Sequence, residues 1–177
     1  MNNISICISI FSLILSAFNT CWIWYQQHLP IKYSLDWICN IADGKQLDIG
    51  MTFVNPSSKP YILLDLAYIA NNNAKPQHST WMSNKILEIE NTLSVGGKEK
   101  RSSYKEAFSD SMPMVIAPYS AKTIVLAYPN NAVPEAQKYL NFDIKLSSKT
   151  MNVNLPIGAK ISTSYLKTYL QDRLTNQ

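Results

Sequence analysis

The stretch from Tyr33 to Val54, "YSLDWICNIADGKQLDIGMTFV", decides the class of the fold. Tyr33, Leu35, Trp37, Cys39 and Ile41 alternate with Ser34, Asp36 and Asn40, the period of two of a half-buried strand, and only Ile38 breaks it. Leu47, Ile49, Met51 and Phe53 resume the alternation beyond Asp43-Gly44, a pair suited to a tight turn because glycine accepts a positive φ. These residues predict an antiparallel hairpin.

Working outward, "NPSSKP" (55–60) is a loop by its proline and serine content, and Pro60 forces an extended start to "YILLDLAYIA" (61–70). In that strand Ile62, Leu64, Leu66 and Tyr68 alternate, with Leu63 and Ile69 also apolar, the pattern of a strand near the middle of a sheet. From Trp81 to Glu90 only "KILEIE" (85–90) reads as a short strand. Ile124, Leu126 and Tyr128 alternate with Thr123, Val125 and Ala127. A second hairpin follows: Leu140, Phe142, Ile144 and Leu146, a Ser147-Ser148-Lys149 turn, then Met151, Val153 and Leu155. Near the C-terminus, Tyr165, Leu166, Tyr169, Leu170 and Arg173 fall at helical spacing. Seven or so strands without strand-helix alternation predict an all-β fold, an antiparallel immunoglobulin-like β-sandwich with a short C-terminal helix. A small closed barrel is the second choice.

The N-terminal segment, "ISICISIFSLILSAFNTCWIWY" (4–25), has another character. It carries no charge, and 22 residues of helix span about 33 Å against a hydrocarbon thickness of about 30 Å. The leading "MNN" lacks the basic residues of a secretory signal, and the exit "NTCWIWYQQ" lacks a small-x-small cleavage site. The segment reads as an uncleaved transmembrane helix, so residues 1–30 form an anchor and its exit and residues 31–177 the β domain. Trp22, Trp24 and Tyr25 form an aromatic collar suited to the headgroup region. Ser5, Ser9, Ser12, Ser16 and Asn19, with Thr20, lie within an arc of roughly 100° and form a candidate face for packing against another membrane helix, in a homo-oligomer or with another protein. The competing explanation is that each hydroxyl returns to the carbonyl four residues back. Lys32 alone leans the β domain toward the cytoplasmic side of a cell membrane crossed once.

Composition excludes several functions. The chain of 177 residues carries 16 basic and 12 acidic residues, a net +4, too mixed for a nucleic-acid footprint. Cys7 and Cys21 lie in the apolar segment and Cys39 alone lies in the domain, where it reads as a small core residue, so no disulfide framework is expected. Gly96 and Gly97 beside Lys98, Lys100 and Arg101 suggest a phosphate loop, but Glu99 follows Lys98 where Ser or Thr is needed. The basic cluster is read as a solvated hairpin tip suited to weak lipid or phosphate contact. His28 and His78 are the two histidines, and no Cys or His spacing makes a metal site. Asp36, Asp48, Asp65 and Asp143 are read as outward, solvated strand carboxylates, Asp65 drawing interest for its apolar neighbours. Neither catalysis nor a cofactor is expected. An aromatic surface groove including Tyr119, Tyr128 and Tyr139 is a further reading, weaker than core packing.

The serine-containing helix, the aromatic exit, the "ADGK" hairpin, "NPSSKPYILLDL" and "MPMVIAPYSAKTIVL" together resemble the small single-anchor β-sandwich proteins of low-GC Gram-positive bacteria and their prophages. Some proteins of this build are superinfection-exclusion factors, which block the passage of DNA from a second phage. The resemblance implies a membrane-anchored interaction protein with a membrane or phage protein as partner. It assigns no functional residue. The alternatives are an accessory subunit of a membrane transport or secretion complex and a cell-envelope ligand-binding domain.

Overall fold

The computed structural model describes residues 2–41, 45–70, 75–79, 83–95, 99–131, 133 and 136–175, with their side chains except at 2–3, 89–95, 99–104 and 173–175. Residues 42–44 of the first predicted turn, residues 71–74, Trp81, and the Gly96, Gly97 and Lys98 part of the proposed tip lie outside the described residues. So do the side chains of Lys100, Arg101 and Arg173.

Helix α1 (Asn2–Gln27) precedes strands β1 (Lys32–Ile41), β2 (Gln46–Asn55), β3 (Tyr61–Ile69), β4 (Gln77–His78), β5 (Lys85–Val95) and β6 (Glu99–Phe108). Strands β7 (Met114–Ile116), β8 (Ser120–Pro129), β9 (Tyr139–Leu146), β10 (Thr150–Pro156) and β11 (Ala159–Lys160) follow, and α2 (Thr163–Thr175) ends the order. One open sheet runs β11-β1-β2-β8 and a second runs β10-β9-β3-β4, with β7 beside the start of β3. Strands β5 and β6 pair separately as a hairpin.

The two sheets share a core. Leu47, Ile49, Met51 and Phe53 of β2 and Ile124, Leu126 and Tyr128 of β8 are buried in one cluster with Leu66 and Tyr68 of β3 and Leu140, Phe142 and Ile144 of β9. Tyr68, Tyr128 and Phe142 meet at its centre, with ring centroids 5.7 and 5.8 Å apart, and Tyr128 Oη donates to Leu66 O at 2.7 Å. The predicted hairpins β1-β2 and β9-β10 are both present.

Two bulges correct the predicted faces. In β1 the register shifts between Leu35 and Trp37, so Leu35 and Ile38 pack in the shared core, whereas Trp37, Cys39 and Ile41 belong to a second cluster. Ile38 breaks the alternation because an extra residue swaps the faces there. In β3 the shift lies between Leu63 and Asp65, which buries Leu63 and leaves Ile62 and Leu64 39% and 38% exposed. These two therefore do not face the core with Leu66 and Tyr68.

The second cluster covers the outer face of β1, β2 and β8. Leu166 and Leu170 of α2 and Ile86 and Ala107 of the β5-β6 hairpin pack on Trp37, Cys39, Ile41, Val125 and Ala127. The C-terminal helix is thus present, started by Ser162, whose Oγ accepts from Tyr165 N at 3.3 Å. Strand β5 runs beyond Glu90 to Val95, longer than predicted, and its partner was not read as a strand. Ten residues of β6 reading "EKRSSYKEAF" show no apolar alternation, and of them Ala107, with Ile86 of β5, packs in the second cluster.

Candidate functional site at the helix exit

Helix α1 stands free of the domain. Its stretch Ile4–Gln27 has a mean hydropathy of 2.0 over its best window and none of that window is buried, so it is not a core helix. By length and composition it is able to cross a bilayer, a test that signal sequences also pass. Ser5, Ser9, Ser12, Ser16 and Asn19 lie along it fully outside the domain. Ser9 Oγ donates to Ser5 O and Thr20 Oγ1 to Ser16 O, both at 2.9 Å, so at these two positions the local return bond forms. Trp22, Trp24 and Tyr25 are 53%, 62% and 54% exposed at the C-terminal end.

The exit is fastened to the domain. His28 stacks on Trp24 at 4.4 Å and its Nδ1 donates to Trp24 O at 2.7 Å, closing the last turn. Ser58 N donates to Gln26 O at 3.1 Å and Tyr61 Oη to Leu29 O at 2.7 Å. The loop that makes the first of these contacts is held by Asn55, a fully buried residue whose Nδ2 donates to Lys59 O, Ile116 O and Ala117 O at 2.8, 3.2 and 3.0 Å. Its Oδ1 accepts from Ser57 N at 2.9 Å, and Tyr119 N donates to Ser57 O at 3.2 Å. Asn55→Ala is expected to destabilise the domain by about 2–3 kcal/mol, since it orphans buried carbonyls, and to loosen the exit. Chemical denaturation and amide exchange at 57–61 check both effects.

The strand ends around the exit carry one sign of charge. Segments 26–34, 53–61, 117–123 and 146–151 contain Lys32, Lys59, Lys122 and Lys149 and no Asp or Glu, whereas one step further in Lys145 lies in register with Asp65 and Asp36 accepts from Ser34. All four end lysines are exposed. The fold brings these segments together because β1, β3, β8 and β10 start, and β2 and β9 end, on this side. A cavity of about 390 Å³ opens here, lined by Gln27, His28, Pro30, Lys59, Pro60, Tyr61 and the Ser147–Lys149 turn. The predicted basic cluster lies elsewhere: Lys100 and Arg101 pair with Ser94 and Leu93 in the β5-β6 hairpin, and Lys98 is outside the described residues.

Among the described residues the acidic side chains of the strands are held in hydrogen bonds or buried. Asp65 Oδ2 meets His78 Nδ1 at 2.5 Å, while Asp65 Oδ1 accepts from Ser79 Oγ at 2.7 Å and Ser79 N at 3.2 Å. Ser79 is 8% exposed and bonds the carboxylate rather than the imidazole, an arrangement that pins β4 to β3. Asp36 accepts from Ser34 and Thr52, and Asp143 from Asn152, both half-buried rather than simply solvated. Asp48 departs furthest from the expectation. It is 0% exposed beneath the second cluster, its Oδ1 accepts from Gln46 Nε2 at 2.8 Å and its Oδ2 has no hydrogen-bond partner among the described residues. Burial pushes its carboxyl up to about 7 against the pull of the Gln46 bond. The Cys39 thiol, 1% exposed, is pushed up first by burial, pulled down by a bond to Thr163 and pushed up by nearby Asp48.

Among the described residues no three His, Cys, Asp or Glu side chains gather in a way that would hold a metal. The aromatic groove is not formed from all three tyrosines named for it: Tyr128 is buried in the core, whereas Tyr119 and Tyr139 are 65% and 54% exposed. Comparison with known protein families and with curated proteins finds no match to this chain.

Proposed function

We propose that this chain is a single-pass membrane protein whose immunoglobulin-like β-sandwich is held against the bilayer surface as an interaction module, without enzymatic activity. One observation carries the reading: an exposed apolar helix of membrane-spanning length is hydrogen-bonded at its exit to a domain end whose strand-end segments hold Lys32, Lys59, Lys122 and Lys149 and no acid. Such an end suits an anionic leaflet and supports a cytoplasmic domain. The immunoglobulin-like assignment is supported by strand order, because β1-β2-β8 and β10-β9-β3-β7 follow the Greek-key arrangement in which the third and sixth strands are neighbours. Tyr68, Phe142 and Tyr128 fill the centre where antibody domains place a disulfide.

The specific role proposed is exclusion of a second phage, which rests on the resemblance in sequence pattern. Expression in a phage-sensitive host is expected to leave adsorption unchanged and to lower delivery of phage DNA. Normal DNA delivery contradicts it. The serine face favours one other reading, an accessory subunit that holds a membrane complex through its helix, or a homo-oligomer. Replacing Ser9, Ser12 and Ser16 by Leu is then expected to reduce helix association in a membrane reporter assay, whereas unchanged association assigns those hydroxyls to their own helix.

A further inference from the structure

We infer that the cavity at the helix exit is a binding site for the phosphate of an anionic phospholipid headgroup, with Lys59 and Lys149 as its cationic walls. The inference rests on the reading of α1 as a membrane span. Three independent features converge on it. The first is position: Gln27 and His28 line the cavity, and Trp24 of the collar lies three residues earlier, about 4.5 Å along the helix axis, so the cavity opens at headgroup depth. The second is rigidity. The cavity walls come from the helix end, the 55–61 loop and the β9-β10 turn, and the loop is tied to the helix by Ser58 N to Gln26 O and to the domain by Asn55. Ser147 N donates to Ile62 O at 3.0 Å and Leu146 N to Lys149 O at 2.8 Å, which fixes the turn against β3.

The third is chemistry. Neither Lys59 nor Lys149 has a salt-bridge partner among the described residues, and no acidic side chain is among those that line the cavity. Two ammonium groups with the Ser147 and Ser148 hydroxyls supply donors and no carboxylate competitor, the set a phosphodiester accepts. Lys32 and Lys122 lie at the same end of the domain and favour an anionic over a zwitterionic lipid. A bound headgroup would hold the domain in one pose on the membrane, with the exposed Tyr119 on the same side.

The test uses the full chain in nanodiscs of phosphatidylcholine containing 20% phosphatidylglycerol, in ~0.1 M salt, with lipids retained per chain counted by native mass spectrometry. The wild type is expected to retain phosphatidylglycerol in preference to phosphatidylcholine. Lys59→Gln with Lys149→Gln is expected to lower that preference by roughly fivefold per lysine. Lys138→Gln with Lys167→Gln, which removes the same charge from α2 and from the end of the domain opposite Leu146, is expected to leave it unchanged. An equal loss in both double variants, or none in the first, overturns the site. Displacement of the lipid by 10 mM inorganic phosphate overturns the lipid as its source. A chain that enters nanodiscs without selecting either lipid refutes the site and leaves the membrane span standing, whereas a chain that never enters them refutes both. Circular dichroism of each variant at the wild-type value excludes unfolding as the cause.

Discussion

Asp48→Asn is expected to stabilise the domain at pH 8 and to flatten part of its dependence on pH. The carboxyl titrates near 7 in the folded chain and near 3.8 when exposed, so the folded state holds the proton more tightly. Its favourable contribution is complete below about pH 4, declines by about 1.4 kcal/mol per pH unit as pH rises, and is gone above about pH 7. Over that window the change approaches 4 kcal/mol as an upper bound. Asparagine keeps the shape and the Gln46 bond to Oδ1 without the charge. Urea titrations of both proteins from pH 4 to 8 measure the difference, which is expected to grow in favour of the variant with pH. A gap that does not change with pH contradicts the assignment of the penalty to a buried charge.

Trp37→Ala is expected to cost about 3–5 kcal/mol and to release α2 from the sheet. The Trp37 indole covers Gly50, where a Cβ would come within 2.2 Å of Cε2, and meets Tyr169 of α2 edge-on at 5.7 Å and 72°. One ring therefore joins β1, β2 and the C-terminal helix. Gly50→Ala in the wild type is expected to cost about 1–3 kcal/mol by displacing that ring, and in the Trp37→Ala background to cost little, since the clash is gone. Limited proteolysis within 163–175 reports release of the helix. Additive costs for the two substitutions contradict the packing described.

Most of the shared core was legible in the sequence because the core-facing residues of β2, β8 and β9 recur at every second position with no bulge in these strands. Leu140, Phe142, Ile144 and Leu146 are all buried as their spacing requires. The errors occur where an extra residue intervenes. A bulge at Asp36 carries Trp37 and Cys39 to the outer face, and nothing in the local pattern distinguishes that from an imperfect strand except the misfit of Ile38. Asp48 was misread because it sits opposite the core, on a face that solvent would cover were α2 and the β5-β6 hairpin elsewhere. A carboxylate between two buried apolar residues on a strand whose partner, β8, is apolar on both faces was the available signal. The lysine end lies beyond sequence reading for another reason. Lys32, Lys59, Lys122 and Lys149 are far apart in the chain, and only the sheet order makes them neighbours. By contrast Lys100 and Arg101 of the basic cluster prominent in the sequence belong to a hairpin remote in the chain from the helix exit.

If α1 remains attached and spans the membrane, membranes washed in alkaline carbonate retain the chain, and its intact mass is the direct measurement: a product of 20.0 kDa that still carries α1 is expected in the pellet. A shorter product lacking the apolar helix, or the full chain released into the supernatant, would contradict it.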